Sequence, residues 1–228
     1  LAVTDAARTG LLADLAHEIR TPLATLEVHI DGLEDGIVPV SPETFGVLRD
    51  QVARLRRLAT DIKLTAAAQE HALDLHPRTL HVADVLQVAC DAAAPRYLAA
   101  GVTLGCEAEA EAGAVTVDAD RIQQVLANLL DNALRHTPPG GSVTVTANAS
   151  GGSVVVRVAD NGDGIPTEEL EAVFQRFHRL DPARVSQGGG SGLGLTIARA
   201  IVADHGGSLV AESPGRGAGT TLVLRLPA

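Results

Sequence analysis

The chain of 228 residues has no methionine, no tryptophan, one tyrosine and three phenylalanines, and aromatic residues make up only 2% of it. A protein that grips nucleic acid needs a basic surface and usually stacking side chains. Here 18 Lys and Arg stand against 28 Asp and Glu, for a net charge of −10. Both ingredients are scarce, so nucleic acid is excluded as a partner. No apolar stretch approaches the roughly 18 residues that span a bilayer, and the N-terminus lacks the basic-then-apolar pattern of a signal peptide. No membrane contact is expected within this segment. The two cysteines, Cys90 and Cys106, have no metal-type spacing and fit free thiols in a reducing, cytoplasmic compartment. The missing methionine and the start at Leu1 read as marks of a piece of a longer protein. What is present is enough apolar content, 46%, to bury the core of one or two domains. An acidic domain that binds a polyphosphate must do so locally, with backbone amides, a few cations and a metal.

Residues 16–23 read Ala-His-Glu-Ile-Arg-Thr-Pro-Leu. They lie in a run where Leu12, Ala16, Ile19, Leu23, Leu26, Ile30 and Leu33 step alternately by four and three, which is a heptad seam on a helix. His17 falls one residue past a seam position and is expected to point outward. An imidazole beside the Glu18 carboxylate, on a helix that buries its own seam, suits a presented nucleophile. A lone surface histidine is the plainer alternative, and motifs downstream decide against it. The segment Asp35 to Pro42 cannot continue a helix because of its Gly and Pro residues. A second helix then starts with Ser41 as N-cap, Pro42 at the first helical position and Glu43 in the first turn. Its seam is Phe45, Leu48, Val52, Leu55, Ala59 and Ile62. Two helices joined by a short loop make an antiparallel hairpin that cannot cover both seams by itself. Two copies can, which predicts a homodimeric four-helix bundle.

Near residue 76 the organisation changes, giving domains at residues 1–76 and 77–228. Strands are expected at Val102–Cys106, Val115–Val117, Ser142–Asn148, Ser153–Ala159, Ser208–Glu212 and Thr220–Leu226, and helices at Val82–Ala99, Ala119–Arg135 and Leu193–His205. Strands that cluster in hairpin-like pairs predict an α/β sandwich with a mixed sheet and helices on one face. Residues 165–191 are a long, weakly patterned, Gly-rich stretch, which reads as a functional lid or as disorder.

Four sites in this second part carry chemistry. Asn128, Asn132, Arg135 and His136 fall on one side of a helix at i, i+4, i+7 and i+8, a polar stripe suited to a magnesium ion and phosphate oxygens. Asparagines inside a helix are poor helix formers, which weakens the reading as a plain solvent face. Asp160-Asn161-Gly162-Asp163-Gly164 closes a valine-rich strand; its glycines permit a tight turn and close approach of a flat ligand, and Asp160 can accept a hydrogen bond. It fails as a calcium loop because Gly162 stands where Asp or Asn is required. Gly188-Gly189-Gly190-Ser191-Gly192-Leu193-Gly194 opens a helix and offers amides to an anion. It lacks the Gly-Lys-Ser/Thr of a Walker loop, the third glycine of the dinucleotide pattern and the second glycine of a hydrolase elbow. Phe174-Gln175-Arg176-Phe177-His178-Arg179 reads as a hydrophobic clip for the lid that also senses phosphate through its arginines, Arg176 among them.

In order and spacing these motifs resemble a two-component sensor histidine kinase over nearly the whole chain. The resemblance implies a dimerisation and phosphoacceptor hairpin followed by an ATP-binding domain of the fold shared with gyrase-type, mismatch-repair and heat-shock chaperone ATPases. It implies His17 as phospho-acceptor, Glu18 as neighbouring base or hydrogen-bond partner and Thr21 as the residue that positions water for dephosphorylation, with Pro22 bending the helix. It also implies that Asn132 holds Mg²⁺, that Asn128, Arg135 and His136 support the phosphates of ATP, that Asp160 reads the adenine amino group beside Gly162 and Gly164, and that Gly190, Gly192, Leu193 and Gly194 line the triphosphate. Arg135 stands where the family often has lysine and His136 where it often has tyrosine. The expected partner is a response-regulator receiver domain, docked on the hairpin, and the chain is expected to be the cytoplasmic portion of a longer sensor. A dimer scaffold or phosphorelay module without kinase activity, and an ATPase that does not phosphorylate itself, are the competing readings.

Overall fold

A computed structural model of the chain describes residues 2–69, 74–108, 113–178, 180 and 192–228, and within these it leaves aside the side chains of residues 2–14, 17 and 63–69. Two compact units divide the chain, residues 1–63 and 64–228.

The first unit is built on helices α1 (Ala2–Glu34) and α2, which starts at Pro42 and runs to Gln69. Pro22 lies inside α1 without ending it. The helix stops where Gly36 takes up a positive φ of 70°, a conformation that costs glycine nothing. Val38 N–H then donates to Gly32 O at 2.7 Å and folds the chain back. Ser41 caps α2 as its sequence position predicts: Thr44 N–H donates to Ser41 Oγ at 3.2 Å. Within the single chain the seam residues Leu23, Ile30, Phe45 and Val52 are exposed, while Leu15 and Leu58 are buried. Among the described residues no helix is long and apolar enough to cross a membrane.

The second unit is the expected α/β sandwich. Its main sheet runs β2 (Thr103–Ala108), β4 (Ser142–Ser150), β5 (Ser153–Asp160), β7 (Thr220–Pro227), β6 (Ser208–Glu212), with β2 parallel to β4 and every other pair antiparallel. The β4–β5 hairpin turns at Gly151 and Gly152, with φ of 60° and 76°, the two positive values a tight two-residue turn requires. A separate ribbon pairs β1 (Arg78–His81) with β3 (Ala114–Val117). The strand β1 escapes a sequence reading. Four mostly exposed residues carry no usable alternation, and their partner lies more than thirty positions on.

Helices α3 (Val82–Ala100), α4 (Ala119–His136) and α5 (Gly194–Asp204) form the second layer, with α4 in contact with both others. Register aligns Ala147, Val156, Leu224 and Leu209 across four strands, all buried. Helix α4 turns Ile122, Val125, Leu126, Leu129, Leu130 and Ala133 into the core. Asp118 caps it, taking Arg121 N–H at 3.1 Å on one carboxylate oxygen and His76 N–H at 2.9 Å on the other. Polar contacts brace α4 against α3: Tyr97 Oη donates to Leu130 O at 2.8 Å, Gln123 Nε2 donates to Val85 O at 2.7 Å, and Arg96 pairs with Asp131.

Candidate active site

Because α4 commits one face to the core, its polar residues gather on the other. Asn128 Nδ2 donates to Gly194 O at 3.0 Å, which ties the middle of α4 to the first residue of α5. Asn132, one turn on, is half-buried, and its amide has no hydrogen-bond partner among the described residues. An amide left so is an oxygen and a nitrogen available to a ligand. Arg135 is exposed. His136 Nδ1 lies 3.3 Å from Asp163 Oδ2, and its backbone oxygen accepts Asp163 N–H at 3.0 Å, so the end of α4 holds the loop that follows β5.

That loop is built around Asp160. Its Oδ1 accepts Gly162 N–H at 2.9 Å and Thr220 N–H at 3.2 Å, fixing the carboxyl plane. Burial pushes the Asp160 pKa up, and the bonds from Gly162 and Thr220 and the nearby His136 only partly counter it. A carboxylate withdrawn from water, with one oxygen spent on backbone amides, is shaped to accept a hydrogen bond at the other. The glycines are steric necessities: a Cβ on Gly162 would strike the His136 carbonyl, and one on Gly164 the Gly215 carbonyl. A supporting loop absent from the sequence reading closes over this turn. Ser213 Oγ accepts Ile165 N–H at 2.9 Å and donates to Gly219 O at 2.7 Å, and Gly217 N–H reaches Asp163 O at 2.6 Å. The Gly215-Arg216-Gly217-Ala218-Gly219 stretch was its available signal.

The region read as one long lid is partly ordered secondary structure. Turns of 3₁₀ type occupy Thr167–Glu169 and Ala172–Phe174, and Phe174 is buried. Arg199 of α5 stacks on the Phe174 ring, 4.8 Å from its centroid, and grips Glu171 at 2.6 and 3.3 Å; Thr196 Oγ1 donates to Phe174 O at 2.8 Å. The clip role of Phe174 thus has its partners. Arg176 is half-buried nearby in sequence. Phe177 N–H donates to Gly192 O at 2.9 Å, with φ of 57° at Phe177 and 71° at Gly192. Leu193 buries its side chain in the core, which keeps that side chain from any ligand. Gly190 lies outside the described residues.

All four motifs predicted in this unit are therefore joined by hydrogen bonds: the polar stripe of α4, the Asp160 turn, the start of α5 and the Phe174 clip. The His17 element belongs to the other unit. His17 lies in α1 with its side chain outside the description; Thr21 is half-buried, and Glu18 pairs with Arg54 of α2 at 3.4 Å.

Residues 117–228 match the family described as histidine kinase-, DNA gyrase B- and HSP90-like ATPase, and residues 7–70 match the His Kinase A (phospho-acceptor) domain. The signal transduction histidine-protein kinase BaeS of Escherichia coli is 35% identical over 96% of this chain and 47% of its own length. Histidine kinase ThkA, solved in complex with the response regulator protein TrrA, superposes with a TM-score of 0.74 at 26% identity, over 96% of this chain and 61% of that one. Full-length ShkA in complex with AMPPNP gives a TM-score of 0.71 at 25% identity, over 96% and 45%. An ATPase-fold unit preceded by a phospho-acceptor hairpin defines the class, and the chain belongs to the two-component sensor histidine kinases. It spans about half the length of the relative BaeS.

Proposed function

We propose that this chain binds ATP in its second unit, transfers the γ-phosphoryl group to His17 and passes it to an aspartate of a response-regulator receiver domain. The observation that carries this reading is the joining of Asn128, Asp160 and the start of α5 into one polar site, in a chain that also holds the His17-Glu18 helix. The AMPPNP in the ShkA structure and the TrrA partner of ThkA support nucleotide and regulator in turn.

In this mechanism Asp160 accepts the adenine amino group, with Gly162 and Gly164 clearing room for the flat base. Arg135, His136 and Arg176 offer donors to the phosphates, and the amides of Gly190, Gly192, Leu193 and Gly194 line the chain of phosphates. Asn128 acts by holding α5 in place. Among the described residues no three His, Cys, Asp or Glu cluster as a metal cage. The site instead offers the unpartnered Asn132 amide, which fits Mg²⁺, a hard cation that keeps several waters and takes the rest of its oxygens from substrate phosphate. When bound, the ion would neutralise charge developing on the phosphates. A ring nitrogen of His17 attacks the γ-phosphorus, the N–P bond forms as the bond to the ADP oxygen breaks, and Glu18 takes the proton from the imidazole. Thr21, one turn along the same helix, orients the water that hydrolyses the phosphorylated regulator. The exposed seams of α1 and α2 support a homodimer through the hairpin.

His17→Gln tests the assignment. The full chain with ATP labelled at the γ-phosphate should take up acid-labile label, and the mutant should take up none while its ATP affinity stays unchanged. Label retained on the mutant places the acceptor elsewhere.

A further inference from the structure

Glu18 follows His17 directly, so it sits about 100° round the helix from the residue it is proposed to serve. Its surroundings are unusual for a carboxylate. On α1 it lies between Leu15 and Pro22, both buried, at helical spacing. On α2, Arg54 lies one turn before the buried Leu58. Arg54 Nη2 reaches Glu18 Oε2 at 3.4 Å across the hairpin, with the two side chains only 19% and 15% exposed. Arg20, Arg49, Arg56 and Arg57 are all exposed, so Arg54 is the withdrawn arginine of the hairpin's described side chains. An ion pair set into an apolar inner face loses hydration that leucines there would not lose. It gains a fixed carboxylate. Glutamate has three side-chain torsions, and proton transfer requires its oxygen within hydrogen-bond reach of the acceptor ring.

We propose that Arg54 is a positioning residue for phosphoryl transfer, holding the Glu18 carboxylate where it can take the imidazole proton of His17. The inference rests on the reading of His17 as acceptor and Glu18 as base. Arg54 touches neither ATP nor the reacting atoms; it acts through Glu18 alone. Its loss should therefore slow the chemical step and leave nucleotide binding intact.

The test is autophosphorylation of the full chain at varied ATP, for the wild type, Glu18→Gln, Arg54→Met, Arg54→Lys and the Glu18→Gln/Arg54→Met double mutant, with melting temperature and oligomeric state measured beside each rate. Methionine keeps the apolar stem and removes the guanidinium. Glu18→Gln should lower kcat on the order of 100-fold and Arg54→Met about tenfold, with KM for ATP unchanged in both. Arg54→Lys should recover most of the rate, and the double mutant should be no slower than Glu18→Gln. If Glu18→Gln is slow and Arg54→Met keeps the wild-type rate, the proposal fails and the base assignment stands. A wild-type rate in Glu18→Gln removes the base assignment and the proposal with it. Losses that multiply in the double mutant show Arg54 acting independently of Glu18. Rates that merely follow melting temperature or dimer content across the Met and Lys variants reduce the pair to a structural staple. Each of these last two results also overturns the proposal.

Discussion

Helix α4 of the α/β unit holds Ile122, Val125, Leu126, Leu129 and Leu130 at no more than 3% exposure, whereas the hairpin leaves Leu23, Ile30, Phe45 and Val52 between 41% and 46% exposed. Both elements are helices with regular apolar spacing. The difference lies in what each can reach. A three-helix layer on a five-stranded sheet offers α4 neighbours on several sides, and two helices alone offer each other one stripe. A regular seam therefore identifies a surface that must be covered without saying whether the same chain covers it.

The sharpest way to break this contrast is to charge the hairpin seam. On the proposed hairpin dimer, Leu23→Asp combined with Phe45→Asp should leave the full chain monomeric in light scattering at micromolar concentration, because an interface of obligate size, about 2,000 Å², would tolerate no unpaired buried carboxylates. ATP affinity should not change. A mutant that stays dimeric would place the interface elsewhere.

Removing core volume should act on the other unit. Leu129→Ala is expected to cost about 2–5 kcal/mol of unfolding free energy, with a melting temperature independent of protein concentration when residues 77–228 are studied alone. Concentration dependence there would mean that this unit, too, depends on a second copy.

A smaller effect attaches to the cap of α4. Burial pushes Asp118 up, but the amides of His76, Arg121 and Asp120 and the Arg121 charge outweigh it and hold its pKa below the ordinary carboxylate value. Its stabilisation is present above that ordinary value and is lost as pH falls through it toward the lowered one. Asp118→Ala should therefore cost about 1 kcal/mol near neutral pH, with the gap from wild type closing in acid. Denaturant melts across the acid range measure it; a pH-independent gap would leave only a neutral packing role.

The smallest expected change has the opposite sign. Asp160 has a raised pKa, chiefly from burial, so the folded state carries a penalty that is absent below the ordinary Asp value and grows as pH rises through the raised one. Asn at this position can still accept from Gly162 and Thr220 through its oxygen. Asp160→Asn should slightly stabilise the nucleotide-free protein, by an amount that grows across that window and is constant above it, while abolishing the preference for ATP over GTP. A mutant less stable at neutral pH, or one that still prefers ATP, would contradict the assignment of this carboxylate.

Much of the fold is legible from residue order because the signals are local. Ser208–Glu212 is a strand with the bounds its alternation predicts, Ser41 caps α2, and the paired glycines at 151 and 152 set the β4–β5 turn. Non-local features escape. Strand β1 exists only by pairing with β3. The loop from Ser213 to Gly219 matters because it folds onto Asp163 and Ile165, roughly fifty residues upstream. Asn128 reads as a phosphate ligand by its place on the stripe, yet its nitrogen is committed to Gly194.

The sequence by itself determined which residue types sit on which helix face, where most helices and strands lie, and which motifs carry polar chemistry, since spacing and capping act over a turn or two of chain. The tertiary structure alone decided that the Asn128 stripe, the Asp160 turn and the start of α5 form one site, that a glycine at 162 is demanded by the carbonyl of His136, and that Glu18 faces an arginine 36 residues away. Such contacts join groups distant along the chain, and their geometry is set by how whole layers pack, which no local pattern encodes.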